Sequence, residues 1–310
     1  MRLSKPAAWP SRKVLHLARP HRIIVNALNV AFENKSLQNR REKYRELLVD
    51  LYELNKAVQV RGEERLLLGS VEPAPENGGN LFIGSIDRFT DIDAFAWYNR
   101  QRRRPASRKE REAIEIPPSM RANYKQFPIL FDIASHRLVF LSKDGKLHLS
   151  ARQVRLLIST LVERASVKAE YGNISVNIEQ RPTAIENILS YDHIRKLSIT
   201  LTRPNDTLGV LKAQFLNDLD HMRAGRADVI ITADSSNRLK PNKDLRNLAR
   251  SAASDGEVKA RVLENGRTRE VSSTDFPVEV SAQYSAKNEQ ISAFIRAAKR
   301  LLRMVARTLA

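Results

Sequence analysis

Cysteine is absent from the 310-residue sequence, and so are long hydrophobic runs. Without cysteine, disulfides, thiolate nucleophiles and zinc sites with sulfur ligands are excluded. No apolar run approaches the roughly 20 residues that a helix needs to cross a bilayer. The lack of cysteine fits a reducing compartment, and we expect a cytoplasmic location.

Negative charge is also scarce, because 35 acidic residues face 53 basic ones and leave a formal net charge of +18. A hydrophobic content of 42% is typical of a folded chain, so the positive excess lies on a folded surface. Such a surface attracts phosphate backbones and anionic membranes. We expect nucleic acid as the partner, with DNA favoured over RNA, and a membrane surface as a less favoured alternative.

Hydrophobic residues recur with the period of a helix in some segments and form β-branched, strand-like runs in others, and the two together predict an α+β fold. Helices are predicted at 37–54 with Ser36 as N-cap, 150–163 with Ser150 as N-cap, 183–189, 208–223, 243–253 and 288–309. β-Branched runs between turn residues predict strands and hairpins, one of them turning at Asn265-Gly266. The predicted strands are 22–32, 64–71, 81–89, a meander over 127–149, 174–179, 195–202, 228–233, 257–264, 267–273 and 278–284.

Local composition suggests how the chain is divided. Residues 1–20 are basic, lack the apolar core of a secretory signal and are interrupted by proline, which favours a loose arm, with an organelle transit peptide as the alternative. Residues 21–170 are predicted to form an α+β subdomain with a long arginine-rich loop at 94–126. Residues 171–310 are predicted to form a second α+β subdomain that ends in a basic helix. We expect mixed or antiparallel sheets with flanking helices in both.

Beyond the arm, positive charge concentrates first in the 94–126 loop, beside the aromatic residues Phe95, Trp97 and Tyr98. Flexible arginine-rich chain next to aromatic rings suits phosphate contact and base stacking, although a solvated loop has the same composition. The predicted nucleic-acid contacts in this loop are Arg100, Arg102, Arg103, Arg104, Arg108, Lys109 and Arg111.

Positive charge concentrates again in the predicted C-terminal helix, which is amphipathic. Its apolar face includes Ile291, Phe294 and Leu301, and we expect this face to dock on the protein core. A dimer seam and an anionic membrane surface are the alternatives for that face. The predicted nucleic-acid contacts on the adjoining stripe are Arg296, Lys299, Arg300, Arg303 and Arg307.

Common catalytic motifs do not occur in the sequence. A phosphate-binding glycine loop, a dinucleotide-binding turn, a zinc-protease helix and a serine-nucleophile elbow are all absent. The six histidines are scattered without metal-ligand spacing. We therefore expect no catalytic residues, no metal and no cofactor, and a protein that is not an enzyme.

Two acidic groupings keep a metal-dependent nuclease open as an alternative. In the first, Asp91 and Asp93 share one side of an extended segment, where two carboxylates can hold Mg²⁺. An ion pair with Arg88 and capping of turns explain these residues more simply.

The second grouping combines Asp228 with Glu257 and Lys259 on predicted strands. Many metal-dependent nucleases place an Asp and a Glu-x-Lys pair on neighbouring strands, where they hold Mg²⁺ and activate water. Alternating charge is also normal on a half-exposed strand, and we favour that simpler interpretation.

Several segments form a distinctive succession along the chain, and they are Glu64–Val71, Ser85–Asp93, Asn123–Asp132, His136–Phe140, Leu197–Asn205, Leu239–Leu248, Asp255–Ala260 and Ser273–Pro277. In order and spacing they resemble an uncharacterised bacterial family, which is classed as a domain of unknown function and occurs in genomes and mobile elements. The resemblance spans about residues 20–285. Because that family has no established catalytic residues, the resemblance implies none here.

The succession of strand, helix and LSITL-like segments, ending in a basic helix, also resembles the Rex-type exclusion proteins of the lambda prophage, RexA among them. That resemblance implies a dimeric DNA-binding component of defence against superinfecting phage. We therefore expect a non-enzymatic sensor or adaptor that binds DNA, forms a homo-oligomer and works with a second defence protein. The remaining alternative is an assembly or interaction protein whose partner is acidic.

Overall fold

The computed structural model describes residues 20–309 except 34–37, 75–79, 92–95, 118, 203–221, 223, 225 and 235–236. Within these residues the chain forms a nine-stranded and a four-stranded antiparallel sheet with helices packed against them, so the predicted α+β class is confirmed. None of the helices described there combines the length and the apolar character that crossing a membrane requires.

The strands are β1 (His21–Phe32), β2 (Val58–Arg61), β3 (Glu64–Pro73), β4 (Leu81–Thr90), β5 (Tyr98–Asn99), β6 (Arg104–Pro105), β7 (Ala122–Asp132), β8 (Arg137–Asp144), β9 (Leu147–His148), β10 (Ile174–Ile178), β11 (Ile194–Thr202), β12 (Arg226–Thr232), β13 (Gly256–Glu264), β14 (Arg267–Ser272) and β15 (Val280–Tyr284). The described helices are α1 (Arg40–Glu53), α2 (Arg108–Glu112), α3 (Ala151–Val162), α4 (Ala165–Tyr171), α5 (Pro182–Leu189), α6 (Lys243–Asp255) and α7 (Gln290–Leu309).

The larger sheet is organised around β1, the strand predicted from its β-branched run. The strand order across the sheet is β10, β1, β8, β7, β4, β3 and β2, and β9 pairs with β8. One edge of β1 is shared by two strands, because its first half pairs with β15 and its second half pairs with β10. Ten consecutive residues of β1, from Ile23 to Phe32, are almost all buried, as expected for a strand covered on both faces.

Helices α1, α3 and α4 cover one face of the larger sheet. Their apolar stripes, represented by Leu47 on α1 and Leu157 on α3, enter a single core with the strands. Ser150 caps α3 as predicted, and it forms a capping box with Gln153. The predicted cap of α1 is wrong, because this helix begins after Asn39, which adopts a left-handed conformation with φ of 53°.

Helix α7 covers the opposite face of the larger sheet. Phe294 and Leu301 are completely buried, and their cluster includes Ile23 and Val25 of β1 and Leu141 of β8. The prediction that the apolar face of this helix docks on the core is therefore confirmed. The same contact removes most of that face from use as a dimer seam or a membrane-binding surface.

The smaller sheet has the order β12, β11, β13 and β14. Its strands alternate, so that residues such as Leu197 and Val258 face helices α5 and α6 in a third core. The residues between them, such as Thr200 and Lys259, lie on the other face, which is polar. Asn265 and Gly266 turn β13 into β14 with positive φ at both positions, as predicted from the sequence.

Gly256, the first residue of β13, packs closely against β11 of its own sheet and is hydrogen-bonded to a residue that follows a strand of the larger sheet. A Cβ atom there would lie 1.9 Å from the carbonyl oxygen of Thr200 on β11, so no side chain fits. The carbonyl of Gly256 accepts a hydrogen bond of 2.6 Å from Nε2 of Gln180, which follows β10 of the larger sheet. Three elements that follow residue 170 are part of the larger sheet or pack on it: strands β10 and β15 pair with β1, and α7 covers one face. The subdomain boundary predicted at that residue stays a prediction.

The 94–126 segment differs from its prediction as a long loop. It contains β5, β6, α2 and the start of β7, each too short or too irregular for a detectable period. Helix α4 and strand β2 were missed for the same reason. The helix predicted at 208–223 falls almost wholly outside the described residues, as does the arm.

Candidate nucleic-acid interface

The arginine-rich segment folds into a small ordered element, which we call the arginine unit and define as residues 97–113. Strand β5 pairs with β6 across an exposed turn formed by residues 100–103, and α2 follows directly. Arg103 in the turn has a left-handed backbone with φ of 49°. The amide oxygen of Asn99 accepts from the backbone N–H of Arg102 at 2.9 Å, which fixes the turn from inside.

Glu110 on α2 holds the arginine unit together. Its carboxylate accepts from the backbone N–H and hydroxyl of Ser107 at 2.7 and 2.9 Å, from Nδ2 of Asn99 at 2.7 Å and from both terminal nitrogens of Arg104 at 3.0 and 3.2 Å. The Ser107 hydroxyl in turn caps α2. Hydrogen bonds from Ser107, then Asn99 and Arg104, lower the pKa of Glu110 to about 2. The carboxylate therefore stays charged under all ordinary conditions.

The carboxylates of the unit neutralise some of its basic residues and leave others facing solvent. Arg102 and Arg104 pair with Glu110, and Arg108 pairs with Glu112 at 2.7 Å. Arg111, by contrast, is half-buried. The remaining three are exposed and form no ion pair with any described residue; they are Arg100, Arg103 and Lys109.

An exposed aromatic ring accompanies these cations. Tyr98 on β5 is 62% exposed, whereas its neighbour Trp97 is half-buried. The third member of the predicted aromatic cluster, Phe95, lies outside the described residues. The arginine unit thus presents positive charge and one open ring on the same short ribbon.

The basic stripe on α7 lies beside the buried face of that helix, as its spacing predicts. Arg296, Arg300 and Arg303 are exposed, and Lys299 is half-buried. The side chain of Arg307 lies outside the described residues. This stripe and the arginine unit occupy different parts of the molecule, because α7 covers a sheet face whereas the unit extends beyond the paired ends of β4 and β7.

The two predicted acidic groupings have partners within the protein. Asp91 is bound by Arg65 and Arg121, not by Arg88 as predicted, and the distance from its Oδ1 to Nε of Arg121 is 2.7 Å. Arg88 instead donates to the carbonyl oxygen of His148. Asp93 lies outside the described residues. Asp91 therefore forms ion pairs that fix the end of a strand. The sequence favoured this structural role, but with Arg88 as the partner.

Asp228 and Glu257 lie on one face of the smaller sheet, each opposite Thr200 of the strand between them. Asp228 accepts 2.8 Å and 2.6 Å hydrogen bonds from Arg226 and Thr200, and these lower its pKa. Glu257 accepts from the hydroxyls of Ser272 and Thr274 and lies 3.3 Å from Nζ of Lys259. Burial opposes ionisation of Glu257, but Ser272, Lys259 and Thr274 together lower its pKa.

Glu257 lines a cleft of mixed charge that does not include Asp228. Arg152 and Arg155 of α3 line it opposite Glu257 and Lys259, and Arg152 pairs with Asp275. In the part of the chain that the structure describes, no group of three or more His, Asp or Glu residues could hold a metal ion. The geometry gives the nuclease alternative no more support than the sequence did.

A polar cluster around Asp87 was missed in the sequence. Asp87 is hydrogen-bonded by Ser85 at 3.1 Å and by Tyr124, and Gln126 donates to Ser85 at 3.2 Å. Burial raises the pKa of Asp87 despite these bonds. Gly69 leaves the room for its carboxylate, because a Cβ there would lie 2.2 Å from it. The alternation of Ser85 and Asp87 along a strand was the available signal, since it places both on one face.

The sequence was also compared with known protein families and with curated proteins. The model of a domain of unknown function (DUF4747) matches residues 21–299. The chain belongs to this family. The match to DUF4747 begins at the residue where β1 begins and ends midway along α7, so it includes both sheets and the arginine unit. None of the curated proteins matches the chain.

Proposed function

We propose that this DUF4747 member is a non-enzymatic protein that binds DNA through the phosphate backbone. The supporting observation is the arginine unit, in which Arg100, Arg103 and Lys109 are exposed and unpaired among the described residues while Glu110 is occupied by other partners. Cations held on an ordered ribbon lose less conformational entropy on binding than the same residues in a loose loop. The net charge of +18 adds long-range attraction to a polyanion.

The stripe of α7 supplies a second positive surface, on which Arg296, Arg300 and Arg303 are exposed. Arginine contacts to phosphates carry no base code, so we expect weak sequence preference and steep dependence on salt.

The first prediction concerns the charge of the arginine unit. Replacing Arg100, Arg103 and Lys109 together with glutamine should weaken DNA binding and flatten its salt dependence. Each lost phosphate contact reduces the magnitude of the negative slope of log K against log salt by roughly 0.9, so the loss of three contacts reduces it by about 2–3. Fluorescence anisotropy titrations between 50 and 300 mM salt measure both quantities.

A matched control removes the same charge elsewhere. Lys146, Arg267 and Lys287 are exposed and form no ion pair within the described residues, so their triple glutamine variant changes net charge equally. We expect this control to retain nearly the wild-type slope. Equal losses of DNA affinity in the two variants would mean that only net charge attracts DNA. A wild-type protein that fails to bind DNA at low salt would refute the proposal.

We also propose that DNA binding by this protein serves defence against phage, as the resemblance to Rex-type exclusion proteins implies. Expression in a susceptible host should lower the efficiency of phage plating at least tenfold. The triple variant of the arginine unit should lose this protection, whereas the matched control should keep it. Plating that is unchanged across a broad phage panel would separate the protein from defence without affecting the binding proposal.

A further inference from the structure

We infer that the arginine unit binds single-stranded DNA in preference to duplex, with Tyr98 as a stacking platform for a base. The inference rests on the proposed function and specifies its ligand. It is carried by the exposed ring of Tyr98, by the hydrogen-bonded backbone that holds it and by the exposed arginines of the turn that follows it.

The backbone on both sides of Tyr98 is fixed. Tyr98 pairs with Pro105 across the ribbon, and the carbonyl of Trp97 accepts from the backbone N–H of Ala106 at 2.8 Å. Asn99, the next residue, is bound at both ends of its side-chain amide, by Glu110 and by the backbone of Arg102. The ring is therefore presented on a rigid support, and little backbone order remains to be gained when a base stacks on it.

Other tyrosines of the protein differ in setting from Tyr98. Tyr44, Tyr171 and Tyr284 are buried, and each hydroxyl has a partner within the protein. Tyr124 is 59% exposed but is bound to Asp87. An open ring beside exposed arginines therefore distinguishes Tyr98 from these tyrosines.

Tyr52 is a further tyrosine with an exposed ring. It is 41% exposed on α1, and its sequence neighbours Asp50 and Glu53 are acidic, so a phosphate backbone would be repelled from it. Exposure of a ring is thus not enough, and the cations at 100 and 103 are what make Tyr98 suited to nucleic acid.

Duplex and single-stranded DNA offer this ribbon different surfaces. Both expose phosphates, which Arg100 and Arg103 can contact from the turn that follows Tyr98. A duplex hides the face of each base between its neighbours, whereas a single strand exposes base faces for stacking. The phosphate contacts are thus common to both ligands, and the contact with Tyr98 favours the single strand.

The test compares a thymidine oligonucleotide of about 20 nucleotides, longer than typical single-strand sites, with a duplex of matched phosphate number. Tyr98→Ala should weaken single-strand binding about tenfold and duplex binding less than twofold. Tyr98→Phe keeps the ring and should bind like the wild type, and Tyr52→Ala is the matched control for loss of an exposed tyrosine. The exposed position of Tyr98 leaves the fold intact, which circular dichroism checks.

A direct readout of stacking uses 2-aminopurine placed within the oligonucleotide. Its fluorescence should fall on binding to the wild type and to Tyr98→Phe, and should stay high with Tyr98→Ala. Duplex bound as tightly as the single strand, or unchanged single-strand affinity in Tyr98→Ala, would overturn this inference and leave the DNA-binding proposal standing. Failure of the wild type to bind either ligand would instead overturn the proposed function itself.

Discussion

A single residue, Asp144 of β8, connects two strands of the larger sheet with helix α7. Its carboxylate accepts from the hydroxyl of Tyr284 on β15 at 2.8 and 3.1 Å and from Nε2 of Gln290, the first residue of α7, at 2.5 Å. Both Asp144 and Tyr284 are at most 9% exposed. The group thus fixes the start of α7 to the strands beneath it.

This arrangement predicts a loss of stability at alkaline pH. Burial, reinforced by Asp144, raises the pKa of Tyr284 to about 12 from its ordinary value of 10. Because the folded-state pKa is raised, the contribution of Tyr284 is complete below pH 10 and is lost as pH rises towards 12. Two pH units correspond to at most about 3 kcal/mol.

Urea unfolding of the wild type and Tyr284→Phe tests the pH prediction. At pH 8 the variant should be less stable by about 1–2 kcal/mol, since a hydrogen bond to a charged acceptor is removed. The difference should shrink steadily between pH 10 and 12. Tyr52→Phe serves as the control, and a difference that is constant with pH would contradict this account.

Sequence reasoning located the charged clusters but not the pairs within them. Composition does not distinguish the seven basic residues of the arginine unit from one another, although Glu110 pairs with Arg104 and leaves Arg100 exposed. The partner of Asp91 was likewise misassigned, since Arg65 and Arg121 come from other strands or strand ends. Ion pairs depend on tertiary placement, which local spacing does not contain.

Among the secondary-structure elements, α7 shows how far periodicity alone can predict packing. Its stripe correctly predicted burial of Phe294 and Leu301, but Ile291 at the same spacing is 50% exposed. Periodicity gives the direction in which a side chain points, whereas the extent of the surface below the helix decides whether it is covered.

The packing of α7 predicts the effect of shortening its largest buried side chain. Phe294→Ala should lower the free energy of unfolding by about 3–5 kcal/mol, because it leaves a cavity against β1 and β8. Ile291→Ala on the same helix should cost less than about 1 kcal/mol, since its side chain is already half in solvent. Urea unfolding of both variants measures the difference, and similar losses would contradict the buried placement of the helix.

At the scale of the whole molecule, the sequence predicted the fold class and most elements but not the sheet order. Strands with clear alternation, such as β11 and β13, were located within one or two residues. Short elements such as α2 and β5 were missed because two to five residues cannot establish a period. The pairing of β1 with both β10 and β15 could not be predicted, since pairing between distant strands leaves no local trace.

The divided edge of β1 has a consequence for the order in which the protein folds. Val25 pairs with Val280, so the first half of this strand lacks its edge partner until roughly 250 further residues have been synthesised. During that interval its backbone N–H and C=O groups on that edge are open to pairing with other chains. Completion of the larger sheet therefore has to follow translation of nearly all the residues between those strands, and a chaperone that shields the emerging β1 would raise the yield of folded protein.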